Sequence, residues 1–181
     1  MVKPLGPVLP PAPPPVPPPP PADARFASRS TFSHALADDP SVFPGVPGAA
    51  HLHHFFGNFT TNAASTNSSL RAAPATTCTP SADTAAYGEP ALLVNGTPLP
   101  PQVVSFYYRG PRATYQQVVA FPAGLRFIAG DAHAMSPQGA ITDWSCVDNA
   151  GTPTVTSADV PTCAAGRCCD CASTSRTVGT A

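Results

Sequence analysis

The chain has 181 residues, which is the length of one domain, and a formal net charge of −1. Charged side chains make up only 10% of it, so the charge balance gives no reason to expect nucleic acid or an anionic membrane as a partner. No apolar run is long enough for a transmembrane helix, and we expect a monomer without a membrane span.

Proline sets the beginning of the chain apart from the rest. Because proline fixes φ and lacks an amide donor, residues 1–25 are predicted to be a disordered, proline-rich spacer. The prolines also interrupt the start too early for a secretory signal peptide. Two interpretations stay open: a cytosolic protein with a proline-rich arm, or a secreted protein whose leader lies upstream of Met1. The second predicts an extracellular or cell-wall associated location.

Residues 26–163 are predicted to form a single β-rich domain. Residues 26–43 interleave apolar and polar side chains before a proline turn, which indicates a short strand and a loop. Residues 60–72 carry N-cap residue types but weak apolar periodicity, which indicates one or two short helical turns.

Four further strands are expected in the second half, where β-branched and aromatic residues alternate with proline and glycine turns. They are residues 103–109, 115–121, 125–129 and 140–146. No amphipathic helix long enough for a parallel crossover separates them. The predicted fold class is therefore mainly β, an antiparallel β-sandwich or barrel-like sheet with short helical turns, incomplete at the C-terminus.

Residues 164–181 do not fit this domain, because they lack apolar periodicity. Their cysteines Cys168, Cys169 and Cys171 also lack the Cys-x-x-Cys spacing of zinc sites. One set of codons for this segment, read one base earlier, encodes alternating apolar and charged residues that suit a half-buried strand. We therefore expect a disordered, out-of-frame tail and a domain truncated by a frameshift after Cys163, which resequencing the gene would test.

The remaining cysteines are Cys78, Cys146 and Cys163. The loop between Cys146 and Cys163 suits a disulfide worth about 3 kcal/mol, which leaves Cys78 for a cysteine now lost. The alternative is a set of free buried thiols in a cytosolic protein.

A series of short motifs runs through residues 26–163. The motifs are Phe32-Ser33-His34, Asp38-Asp39-Pro40, Phe43-Pro44-Gly45, His51-Leu52-His53-His54-Phe55-Phe56-Gly57-Asn58, Ser69-Leu70-Arg71, Thr76-Thr77-Cys78, Ala86-Tyr87, Tyr107-Tyr108-Arg109, Phe121-Pro122-Ala123-Gly124-Leu125-Arg126, Ala129-Gly130-Asp131, Trp144-Ser145-Cys146 and Pro161-Thr162-Cys163. In this order they resemble a family of secreted bacterial and fungal proteins classed as the domain of unknown function numbered nineteen ninety-six.

The resemblance implies a secreted domain whose partner is an extracellular polysaccharide. The chain also departs from the family, which has a cysteine near Ser30 and an aromatic residue where Gly88 stands. The family carries a further histidine-containing stretch after the segment that the frameshift would remove. The shifted reading of the tail is similar to the segment that precedes that stretch.

The histidine block from His51 to His54 is the candidate site. In an extended chain His51 and His53 share one face and His54 the other, which is a suitable geometry for two ligands of a divalent metal. A third ligand is required, and His34 is a candidate by residue type. His51, His53 and Asp131 are the candidates for a catalytic role. The alternative is that these imidazoles form hydrogen bonds within a loop and have a structural role.

The sequence leaves three functions open. The first is a secreted domain that binds or processes an extracellular polysaccharide at a histidine-containing site, with a divalent metal as the candidate cofactor. The second is a non-catalytic surface or wall-associated module, and the third is an inactive truncated fragment. Tyr107, Tyr108 and Trp144 would stack on sugar rings if they share an exposed face, and otherwise pack in the core.

Overall fold

The computed structural model describes residues 25–109, 121–131, 133–139, 141–148, 150–165 and 168–173. In these ranges the chain is built almost entirely of strands. They are β1 (Arg25–Leu36), β2 (His53–Gly57), β3 (Cys78–Thr79), β4 (Ala86–Pro90), β5 (Leu93–Val94), β6 (Thr97–Pro98), β7 (Val103–Arg109), β8 (Thr142–Val147), β9 (Pro153–Ser157) and β10 (Cys168–Ser173), with one helix, α1 (Asn67–Ala72). The predicted spacer lies outside the described residues apart from Arg25, as does the predicted strand at 115–121 apart from Phe121.

The largest sheet has five antiparallel strands arranged around β1. Its order is β3-β1-β2-β4, and β7 also pairs with β1. β1 can serve several partners because it is twelve residues long: its first half pairs with β7 and β3, and its second half with β2. The two halves therefore build two different surfaces on one strand.

Alternation along β1 and β7 gives this sheet two distinct faces. We call the face that carries Arg29 and Tyr107 the outer face, and the face that carries Ser28 and Phe106 the inner face. Ser28 is fully buried, whereas Arg29 and Tyr107 are exposed. β7 shows the same period of two over its whole length, as a strand with one covered face should.

A bulge in β1 places His34 on the outer face. Phe32 pairs with Phe56 and His34 pairs with Phe55, so Ser33 is an extra residue in β1. Phe55 and Phe56 are consecutive and point to opposite faces, and both are almost completely buried. The outer face over β2 is therefore covered, unlike the outer face over β1 and β7.

Loops close over β2 through polar side chains. The carboxylate of Asp38 accepts hydrogen bonds from Gly48 N at 2.8 Å and from Ala63 N at 2.9 Å. These bonds hold the pKa of Asp38 below its ordinary value. Helix α1 follows a capping box in which Thr66 and Ser69 satisfy each other's backbone amides, which confirms the predicted helical turn.

Asn58 joins the end of β2 to the neighbouring chain segments. It is fully buried, and its side-chain amide donates to Leu70 O at 2.9 Å and to Thr84 O at 3.0 Å. Its side-chain oxygen accepts from the backbone and hydroxyl of Thr60. Asn58-Phe59-Thr60 matches the acceptor pattern for N-glycosylation, but the buried amide of Asn58 is not available for it in the folded chain.

A second sheet has the order β10-β8-β9, and β5 and β6 form a separate hairpin. Cys146 on β8 forms a disulfide with Cys163, as predicted. β10 lies within residues 164–181, the segment for which a disordered tail is predicted. Every residue of β10 has a register partner on β8, and this backbone pairing replaces the missing apolar periodicity. The frameshift stays a prediction.

The mainly β, antiparallel fold class is confirmed, while the sheets within the described ranges do not close into a barrel. Residues 125–129 are irregular, so the predicted strand there is wrong. Arg126 donates to Pro40 O at 2.7 Å and Ile128 is 61% exposed, so this segment is held by a loop contact, and none of the described strands pairs with it. Within the described ranges, none of the helical structure is long and apolar enough to span a membrane.

Candidate functional site

Four rings, three of them predicted site histidines, form a row over β2. His34 stacks on Phe55 with 5.2 Å between ring centroids, and the ring of His53 lies 6.0 Å from that of Phe55. His51 stacks on His53 at 4.5 Å. His51 and His53 therefore lie on one side, as the alternation predicts, and the row continues to His34 through an intervening phenyl ring.

Both ring nitrogens of His34 are used in holding the loops. Nε2 lies 2.7 Å from the carbonyl oxygen of Thr61, and because a carbonyl only accepts, Nε2 carries the proton. Nδ1 lies 2.8 Å from the hydroxyl of Ser33 and accepts from it. His34 thus has no lone pair left for a metal ion.

His53 is buried and is also tied to the backbone. Its Nδ1 donates to the carbonyl oxygen of His51 at 3.1 Å. Burial lowers the pKa of His53 below its ordinary value, and the neighbouring His51 lowers it further, while Asp39 and two backbone carbonyls act in the opposite direction. These contacts fit a neutral imidazole that stabilises the turn before β2.

The described residues do not assemble the predicted metal site. Within the described ranges, no group of three or more His, Cys, Asp or Glu side chains is placed to hold a metal ion. The predicted third ligand, His34, is separated from His53 by Phe55. Asp131 is an exposed turn residue whose carboxylate accepts from His133 N at 2.9 Å. The contacts of His34 and His53 therefore fit a structural role.

On the inner face His54 faces a carboxyl group. His54 is 1% exposed, and its Nδ1 lies 3.9 Å from Glu89 Oε1, the residue opposite it on β4. This distance is beyond hydrogen-bonding range, and Nδ1 has no other partner among the described residues. Burial raises the pKa of Glu89 to about 7 and lowers the pKa of His54. Both groups therefore favour their neutral forms.

The outer face of β1, β3 and β7 is open to solvent and differs in chemistry from the histidine row. Its side chains are small, hydroxylated or exposed, with one aromatic ring and two arginines. They are Ala27, Arg29, Thr31, Thr79, Val103, Ser105, Tyr107 and Arg109. None of these positions is acidic.

Tyr107 is the centre of this open surface. Tyr107 is 60% exposed and stands opposite the small residue Ala27, so its direct partner on β1 does not cover the ring. The guanidinium carbon of Arg109 lies 5.8 Å from the ring centroid, within the range of a cation–π contact. An open depression of about 250 Å³ adjoins the surface at Arg29, and Thr31 and Thr79 are among the residues that line it.

The three aromatic residues that could have formed a sugar platform do not share a face. Tyr108 lies on the inner face, where its hydroxyl is 2.8 Å from that of Tyr87, which stacks on Phe106. Trp144 belongs to β8 in the other sheet. Tyr107 is thus the one of the three that stands on the open outer face.

Sequence reasoning missed the partners of Tyr107 and the pair formed by His54 and Glu89. The strand Val103–Arg109 was predicted, so its period of two already placed Tyr107 and Arg109 on one face. Arg29 could not be added, because its position depends on the long-range register of β1 against β7. Glu89 lies in a strand with glycine and proline, which gave no strand signal.

These features define a β-rich, antiparallel domain with a histidine row beneath loops and an open aromatic face beside it. Residues 39–178 match the family described as Domain of unknown function (DUF1996). The chain belongs to this family, as the motifs indicated. No curated protein and no solved structure matches the chain.

Proposed function

We propose that this domain binds an extracellular polysaccharide on the open outer face of β1, β3 and β7, and that it does so as a non-catalytic module. The exposed ring of Tyr107 carries the proposal, because a flat aromatic surface surrounded by small and hydroxylated side chains suits the stacking of a sugar ring. The neighbouring hydroxyls offer hydrogen-bond partners to sugar hydroxyls.

Binding is favoured over turnover by the state of the histidines. The nitrogens of His34 and Nδ1 of His53 are engaged in bonds that hold the fold. A general acid or base needs a nitrogen within reach of substrate. His51 is exposed at the end of the row, but within the described ranges it belongs to no group of three or more His, Cys, Asp or Glu side chains that could hold a metal ion.

The extracellular location is part of the proposal and is supported by the disulfide between Cys146 and Cys163. Disulfides persist in oxidising compartments and are rare in the cytosol. An extracellular module meets polysaccharides of cell walls and matrices, which is the partner class that the family resemblance implies.

Affinity electrophoresis of the full chain through gels containing soluble polysaccharides tests the proposal. We expect retardation by at least one polysaccharide, and we expect Tyr107→Ala to abolish it. Phe59→Ala is the matched control, because Phe59 is 52% exposed but lies outside this face. Equal retardation of wild type and Tyr107→Ala, or no retardation in any gel, would overturn the proposal.

A further inference from the structure

Arg29 and Arg109 flank Tyr107 on the open face, where Arg25 is the register partner of Arg109, and among the described residues no acidic position of β1, β3 and β7 stands on this face. Arg109 follows Tyr107 by two residues on β7 and lies on the same side of the strand. Arg29 stands opposite Ser105, which precedes Tyr107 by two residues, so Arg29 is the diagonal neighbour of Tyr107 on its other side. The ring therefore has a cation toward each end of the strand direction.

The spacing of the two arginines along the strand bears on the size of the ligand. Their backbone levels are four residues apart along β7, which is about 14 Å at roughly 3.4 Å per residue, and the Arg109 guanidinium reaches back to 5.8 Å from the ring centroid of Tyr107. A ligand that lies across Tyr107 and spans both backbone levels is longer than a single sugar ring. The surface thus suits an oligomer that lies along the strands.

Charge complementarity identifies the chemistry of this oligomer. A guanidinium presents paired donors that match the two oxygens of a carboxylate, and two exposed arginines without an acidic neighbour on their face attract anions. The net charge of the chain is −1, so this positive surface is a local feature. Threonine hydroxyls beside Arg29 can bind the neutral hydroxyls of the same ligand.

We propose that the polysaccharide bound on this face carries carboxylates, as a uronate polymer does, with Arg29 and Arg109 binding carboxylates on either side of a sugar stacked on Tyr107. This inference rests on the polysaccharide-binding function proposed above. It adds the substrate class and two residues that determine it.

Calorimetric titration of the full chain with polygalacturonate and with its fully methyl-esterified form tests the inference, because the two polymers share a backbone and differ in free carboxylates. We expect the free acid to bind about a hundredfold more tightly, about tenfold for each of the two arginine–carboxylate contacts. Arg29→Gln and Arg109→Gln should each remove about tenfold of this affinity and weaken binding of the ester by less. Arg71→Gln, on the exposed last turn of α1, is the matched control.

The outcomes separate the two proposals. Equal binding of acid and ester that is lost in Tyr107→Ala would overturn the carboxylate assignment and leave the polysaccharide-binding function intact. Equal binding of a sulfated polysaccharide would also overturn it, because the face would then recognise negative charge in general. Absence of binding to every polysaccharide would overturn both.

Discussion

The pair of His54 and Glu89 shows how burial alone can determine whether a side chain is charged. The two side chains face each other across β2 and β4 at 3.9 Å, yet they do not form an ion pair with a hydrogen bond. Burial raises the pKa of Glu89 from 4.5 to about 7, because the ionised carboxylate loses hydration. Burial lowers the pKa of His54 for the same reason.

This pKa makes stability depend on pH with a defined sign. In the window from pH 4.5 to about 7, folded Glu89 keeps a proton that the unfolded chain releases. Its contribution is therefore complete below pH 4.5 and is lost as the pH rises through about 7. Because the side chain is 38% exposed, solvent screening reduces the effect to about 1–2 kcal/mol. We expect Glu89→Gln, neutral throughout, to gain that much stability over wild type as the pH rises across this window.

Urea unfolding of both proteins across this window measures the effect. Asp159→Asn is the control, since Asp159 is an exposed loop carboxyl. His54 acts in the opposite direction, because its lowered pKa gives stability above pH 6.5 that is lost as the pH falls. We expect Glu89→Gln to lose stability at low pH in the same way, since it still contains His54. Parallel stability curves for wild type and Glu89→Gln would contradict the expected titration.

The residues of the histidine row were predictable in part. The alternation expected of an extended chain groups His51 with His53, and the two rings stack although His51 lies just before β2. The same pattern could not reveal that Thr61 O would bind His34 from 27 residues away. That contact depends on how the loops close, and it gives a candidate ligand a structural role.

At the scale of elements, composition identified strands only where a partner strand was present. β7 and β8 were predicted from β-branched and aromatic residues, and both pair in sheets. Residues 125–129 have similar composition but no partner strand among the described residues, because pairing is a tertiary property. The turn between β5 and β6 carries a specific local signal, the dipeptide Asn-Gly: Asn95 and Gly96 adopt φ of 52° and 78°, the backbone of a tight hairpin.

The register of β1 against β3 allows a new crosslink. Ser30 lies directly opposite Cys78, its hydroxyl contacts the thiol, and both side chains are buried. Directly opposed residues have Cα atoms about 4.5–5.5 Å apart, within the range that a disulfide spans. We expect Ser30→Cys to form a disulfide with Cys78 and to raise the free energy of unfolding by about 4 kcal/mol, given a sequence separation of 48 residues.

Thiol counting under denaturing conditions and urea unfolding with and without reductant measure this crosslink. The matched control is Ser28→Cys, because Ser28 is equally buried on the same face but stands opposite Phe106. If the Ser30→Cys variant, after oxidation, still contains Cys78 and the introduced cysteine as free thiols, the strand register differs from the one described.

At the scale of the molecule, the sequence predicted the antiparallel, strand-rich class but could not assign strands to sheets. That assignment depends on pairings distant in sequence, such as β1 with β7. The tail illustrates the same limit, since β10 is placed by its pairing with β8 despite a sequence without strand periodicity. Local sequence patterns therefore predict the class of fold, whereas the set of residues on each sheet face depends on long-range strand register.

The two larger sheets share no hydrogen-bonded strand among the described residues. We therefore expect each sheet to unfold with its own free energy of unfolding. The disulfide of Cys146 and Cys163 begins on β8 of the second sheet and closes a separation of 17 residues, worth about 3 kcal/mol. Replacing both cysteines with alanine should lower the unfolding free energy of that sheet by this amount. The only tryptophan, Trp144, lies on β8 and reports this transition by fluorescence. Amide exchange at Phe55 and Phe56 reports the other sheet and should stay unchanged, whereas equal loss of protection there would show that both sheets unfold as one cooperative unit.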